Sequence, residues 1–139
     1  MNLSPHFTLE ELIATQHRDI DNDPPLEIVA NLKRTALLLE SVRQRLGAPI
    51  IISSGYRSPA LNKAVGGQPN SQHLTGQAVD FICPGFGTPT TVISALKDSG
   101  IDLDQAILEF NRWVHISWAE KPRGQYLQID KTGTRPMWS

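Results

Sequence analysis

His73, Asp80 and His115 are the residues of this 139-residue chain best suited to hold a divalent metal. His73 opens the string His73-Leu74-Thr75-Gly76-Gln77-Ala78-Val79-Asp80, which turns at Gly76 and feeds an apolar run. On a helix, residues seven apart are separated by about 10 Å along the axis, too far to share one ion. A loop that doubles back through a glycine can bring the two together. In Trp113-Val114-His115-Ile116-Ser117, strand alternation puts Trp113, His115 and Ser117 on one face. Two imidazoles and a carboxylate form a set that holds catalytic zinc with a fourth position left for water. The same residues also admit a metal-free arrangement, both histidines hydrogen-bonding to Asp80 and the backbone. His6 and His17 lie in or beside a polar N-terminal segment and read as solvated or capping residues.

Composition narrows the alternatives. The single cysteine, Cys83, excludes an internal disulfide and any multi-thiolate zinc site, so a metal would need His and carboxylate ligands. Cys83 itself reads as a buried apolar residue. Thirteen Lys and Arg against fourteen Asp and Glu leave a net charge of -1, with no basic field for nucleic acid. No cationic leader precedes an apolar run, and no stretch reaches the roughly 18 apolar residues that span a bilayer. The expectation is a chain made in the cytoplasm without a signal peptide or membrane partner. Its length fits one domain, 1–139.

The elements that must position the candidate ligands follow from local pattern. Thr8 and Glu11 have the spacing of a capping box for a short first helix. Asp23-Pro24-Pro25 opens the longest helix, with Leu26, Val29, Leu32, Ala36, Leu39, Val42 and Leu46 on one face and Gly47 as its stop. Pro49–Ser54 reads as a buried strand ending at Gly55, and Ala78–Ile82 as a second strand. Between them, residues 55–76 form a Gly-, Ser-, Pro- and Asn-rich loop with one helical turn near Pro59–Val65. Its glycines, Gly55, Gly66, Gly67 and Gly76, supply special backbone conformations. Thr88-Pro89 starts a helix that Gly100 stops. Asp104–Phe110 and Trp113–Trp118 read as strands joined across Asn111-Arg112, and Gln125–Asp130 as an edge strand. Residues 131–139 show no periodicity and read as a loose tail. Early helices and late strands give an α+β fold, helices packed on a single antiparallel sheet carrying the site.

Longer strings sharpen the reading. Ser54-Gly55-Tyr56-Arg57-Ser58-Pro59, Leu61-Asn62, Val65-Gly66-Gly67, Ser71-Gln72-His73 through Asp80, and Trp113-Val114-His115 resemble the zinc D-alanyl-D-alanine carboxypeptidase family of metallopeptidases. The likeness runs from about Leu3 to Ile129 and is nearest to the small single-domain subgroup frequent in phages and prophages. It implies one Zn²⁺ held by His73, Asp80 and His115, and cleavage of bonds involving D-amino acids in peptidoglycan peptides. One feature departs from the pattern. Many members carry an acidic catalytic residue three positions before the last histidine, where this chain has Arg112, which cannot act as a base. The nearest upstream carboxylate is Glu109; the distantly related hedgehog signalling domain also places a glutamate near its metal. If Asn111-Arg112-Trp113 form a three-residue connection, Glu109 lies directly across from His115. Glu109 otherwise reads as a solvent-facing residue or a partner of Arg112.

Arg57 offers a planar, permanent cation for a substrate carboxylate or a developing oxyanion, or else ties its loop together. Ser71 can orient a substrate amide or cap the loop. Trp113 can wall the cleft or pack in the core. Three functions are open: a D-Ala-D-Ala carboxypeptidase, an endopeptidase of endolysin type cutting L-Ala-D-Glu or cross-bridge bonds, and a non-catalytic wall-binding or phage structural module.

Overall fold

The computed structural model describes residues 1–138. Four helices, α1 (Leu9–Ile13), α2 (Leu26–Leu46), α3 (Pro59–Ala64) and α4 (Pro89–Ser99), accompany six strands: β1 (Ile51–Ser54), β2 (Ala78–Ile82), β3 (Gln105–Glu109), β4 (Trp113–Ser117), β5 (Gln125–Asp130) and β6 (Gly133–Pro136). One 3₁₀ turn, Gln72–Thr75, precedes β2. The strands form one sheet in the order β1-β2-β4-β3-β5-β6.

The helices begin and end where local chemistry dictates. Thr8 and Glu11 make both bonds of the capping box on α1. Gly47 adopts the left-handed conformation that ends α2, and Gly100 does the same for α4 after Thr88 has capped its start. Leu32, Ala36, Leu39 and Val42 of α2 meet Val92, Ile93 and Leu96 of α4 over one face of the sheet. That face contributes Val79, Phe81, Ala106, Leu108, Val114 and Ile116, all buried. Strand alternation sends Asp80, Ile107, Glu109, Trp113 and His115 to the opposite face. The helices therefore provide the core and leave the other face free for chemistry.

The α+β fold, with helices on one mostly antiparallel sheet, is as expected, and four finer expectations need correction. β5 pairs parallel to β3, because the chain crosses the end of β3 after β4 instead of turning back beside it. β5 is consequently not an edge strand. Its outer side pairs with β6, so the middle of the expected loose tail, Gly133–Pro136, is a strand; Ser139 lies outside the described residues. β1 is an edge strand and not a buried one, with Ile51 exposed. The β3–β4 connection contains Phe110, Asn111 and Arg112, and pairs Glu109 with Trp113 while His115 faces Ile107. Phe110 and Asn111 both have left-handed backbone, φ 55° and 56°, and that turn sets the register.

Candidate metal centre

One ligand atom from each of His73, Asp80 and His115 lies within 4.8 Å of the others, and all three residues are buried. β2 and β4 bring Asp80 opposite His115 as direct cross-strand partners. His73 arrives from the 3₁₀ turn, whose first backbone bonds are organised by Ser71: the His73 N–H donates to Ser71 Oγ at 3.1 Å. Gly76 closes that turn in the left-handed conformation (φ 74°), and its carbonyl accepts the Thr35 hydroxyl at 2.5 Å. The doubling back expected between His73 and Asp80 is thus pinned to α2.

Gly55 fixes the imidazole itself. The chain there passes so close to the end of α1 that a Cβ would stand 2.2 Å from the Leu12 carbonyl oxygen. The Tyr56 N–H donates to that oxygen at 2.7 Å, and the Gly55 carbonyl lies 2.7 Å from His73 Nδ1. Gly55 serves close approach and not a left-handed turn, as does Gly67 beside Asn62; Gly66 and Gly76 do have positive φ. A carbonyl only accepts, so His73 Nδ1 carries a proton, which leaves Nε2 as the ring nitrogen able to ligate a metal. Nε2 faces Asp80 Oδ1 at 3.3 Å, and His115 Nδ1 lies 2.9 Å from the same oxygen.

Burial alone would raise the Asp80 pKa; hydrogen bonding to His115 and His73 outweighs it and holds the carboxyl far below the ordinary range. With Nε2 deprotonated, as metal ligation requires, the Asp80 carboxylate and the His73 lone pair would stand acceptor against acceptor. A cation between them resolves that conflict. The backbone carbonyl on the far ring nitrogen is the usual support of a metal-bound histidine. Two imidazoles, one carboxylate and no thiolate fit zinc.

Other candidates gather around this cluster. Glu109 Oε1 is 4.0 Å from His115 Nδ1. Its pKa is raised, first by burial and then by the Asp80 charge, against the opposing pull of His115, Trp113 and Arg57. Glu109 reaches the cluster diagonally, not from directly opposite His115. No ion pair joins it to Arg112 among the described residues; the Arg112 N–H donates to the Glu109 carbonyl as part of the turn. Arg57 does tie its loop, donating from Nε to Ser54 at 3.2 Å and from Nη1 to Asn62 at 3.3 Å, while Nη2 stands 3.6 Å from Asp80 Oδ2. Ser71 caps the turn and also lines the cleft. Trp113 is half-buried, packs near Phe110, and has a buried indole N–H without a hydrogen-bond partner among the described residues.

The whole cluster lines one hollow, and Asp80 also borders a second. One, a cleft of about 370 Å³, includes Gln68, Gln72, Gln105, Glu109 and Arg123 in its lining. The other includes His17, Leu61, Val65 and Trp113, and Arg57 and Asp80 line both. His6 pairs with Glu40 on the far side of α2 and takes no part.

The family model for peptidase M15 matches residues 5–117. The chain belongs to the peptidase M15 family. The M15 match contains His73, Asp80 and His115, and M15 peptidases are zinc-dependent, so the protein is a zinc metallopeptidase. No curated protein matches the chain. Among the described residues, no helix of this M15 protein is long and apolar enough to cross a membrane.

Sequence reasoning passed over the polar end of the cleft. Gln72 adjoins His73 in the chain and was within reach of the motif, and Gln105 and Asp104 come with β3 beside β4, but Arg123 reaches the site only where the chain crosses toward β5 on the other side of β3. No local pattern announces that crossing.

Proposed function

We propose that this M15 peptidase uses one zinc ion, held by His73, Asp80 and His115, to hydrolyse peptide bonds in bacterial cell-wall stem peptides. The observation that carries the reading is the buried three-residue cluster at the floor of an open cleft, with Glu109 4.0 Å from His115. Bound zinc would polarise the scissile carbonyl and lower the pKa of water to about 7. Glu109 is the general base: its carboxylate accepts the proton of the attacking water and returns it to the leaving amine nitrogen. Arg57, half-enclosed beside Asp80, supplies a donor for negative charge on the substrate. Ser71 holds the His73 turn and offers its hydroxyl to a substrate amide. Trp113 walls the apolar side.

Two bonds suit this machinery. A D-Ala-D-Ala carboxypeptidase would use Arg57 for the terminal carboxylate. An endopeptidase would thread its substrate past the same residue. Hollows on both sides of Arg57 and Asp80 favour the second, since a chain can continue beyond the cut in either direction. The closeness of Glu109 to the cluster favours catalysis over a purely structural module. A mass-spectrometric digest of purified peptidoglycan by the zinc-loaded protein tests the reading. Internal stem or cross-bridge fragments identify the endopeptidase, and free D-alanine identifies the carboxypeptidase. Absence of any peptide product from zinc-loaded protein refutes both.

A further inference from the structure

Arg123 lies beyond the residues the M15 family shares with this chain, yet it lines the same cleft as the metal cluster. It is half exposed, and a fully buried carboxylate, Asp104, organises it. Asp104 Oδ1 accepts the Arg123 backbone N–H and Nε–H, both at 2.9 Å, and Oδ2 accepts Nη2–H at 2.6 Å. Oδ2 also accepts the Gln72 side-chain amide at 2.9 Å, which links Arg123 to the residue preceding His73. Arg123 Nη1 has no partner among the described residues. A guanidinium fixed on one edge and free on the other is pre-organised to give hydrogen bonds to a further anion.

The strand beside it gives the distance. Gln105, Ile107 and Glu109 share the site face of β3, and Ile107 is the partner of His115. At about 3.3 Å per residue, Gln105 lies about 7 Å along the strand from the level of His115, and the Asp104–Arg123 pair about 10 Å. An extended substrate advances at the same rate, so Arg123 stands two to three residues from a bond cleaved at the cluster. The intervening wall offers Gln68, Gln72 and Gln105, amides suited to a peptide backbone.

We infer that Arg123, clamped by Asp104 and flanked by Gln72 and Gln105, is a specificity-determining residue that recognises a free carboxylate two to three residues from the scissile bond. The inference rests on the peptidase reading above. The carboxylate could be a branch on the peptide, as at an iso-linked glutamate, or the end of the chain; both present the same chemistry to a guanidinium.

Matched synthetic stem peptides test it, each pair differing only by carboxylate or carboxamide at one residue, branch and terminus in separate series. Zinc-loaded wild type should prefer the acid about tenfold or more in kcat/KM, carried by KM, in one series and at one position two or three residues from the cut. Arg123→Gln should bring that ratio near one, and Arg123→Lys should keep part of it. A merely structural ion pair would lower the melting temperature of Arg123→Gln without changing the ratio. Calorimetric titration of the same pairs into zinc-loaded Glu109→Gln protein reads the preference with little turnover, so loss of hydrolysis by wild type in every pair refutes the peptidase reading separately. No acid preference in wild type, or a preference that survives Arg123→Gln, overturns the inference.

Discussion

Two aspartates are buried on the site side of this molecule, and their partners differ in kind. Asp104 is neutralised by a permanent cation and accepts four hydrogen bonds, three from Arg123 and one from Gln72. The Arg123 bonds are the main cause of a carboxyl pKa lowered to about 2. Asp80 is also buried, but its nearest partners are two imidazoles, and Arg57 stays 3.6 Å away. Burying an ionised carboxylate is costly unless a cation and hydrogen bonds compensate it. Asp104 has that compensation within the chain. On the proposed reading, Asp80 would obtain it from a bound metal ion. The contrast separates a carboxylate that completes the fold from one placed to complete the proposed metal site.

The sharpest way to break the contrast is to remove a ligand. His73→Ala or Asp80→Ala should abolish stoichiometric zinc in metal analysis and lower hydrolysis by about 10³-fold or more. Zinc binding that persists at full stoichiometry in either variant would remove that residue from the ligand set. Glu109→Gln should keep its zinc and lose about 10²- to 10³-fold in kcat, the size of a general-base contribution. Full activity in that variant would exclude Glu109 as the base.

Stability measurements address the same contrast from the folding side. Zinc at about 100 times its dissociation constant should stabilise wild type by about 2.7 kcal/mol. Asp104→Asn should keep this increment and Asp80→Asn should lose it, as read by thermal unfolding with and without zinc. The smallest effect belongs to the self-contained pair. Because the folded pKa of Asp104 lies below its ordinary value of 3.8, its contribution is present above about pH 4 and is lost as pH falls toward 2. With screening at half-exposed Arg123, that contribution is about 1–2 kcal/mol. Asp104→Asn should therefore be less stable at pH 7 and lack this part of the acid limb between pH 4 and 2. An unchanged acid limb would contradict the assignment.

Much of this was written locally in the chain. Thr8 with Glu11, Gly47, and Thr88-Pro89 with Gly100 mark helix ends through bonds made within a few residues, so α1, α2 and α4 were legible. The alternation Trp113-His115-Ser117 and the glycine turn between His73 and Asp80 likewise carried the ligand trio. What was not legible depended on register or on distant pairing. Glu109 faces Trp113 because Phe110 and Asn111 take left-handed backbone, and phenylalanine is not a residue whose presence announces such a turn. Gly133-Thr134-Arg135-Pro136 is exposed throughout and has no apolar alternation, so only its pairing with β5 reveals it as a strand. Arg123 enters the cleft through a crossover that no short motif encodes.

The strand order carries a consequence for how the active molecule comes into being. β4 lies between β2 and β3, although both precede it in the chain. A growing polypeptide that has emerged only through β3 has no partner to join those two strands and holds just two of the three ligands. Insertion of β4 closes the middle of the sheet and delivers His115 to Asp80 in one event. On the proposed ligand set, metal capture would report that the central strand is seated: a chain without β4 lacks His115, and peptidase activity would wait on that strand.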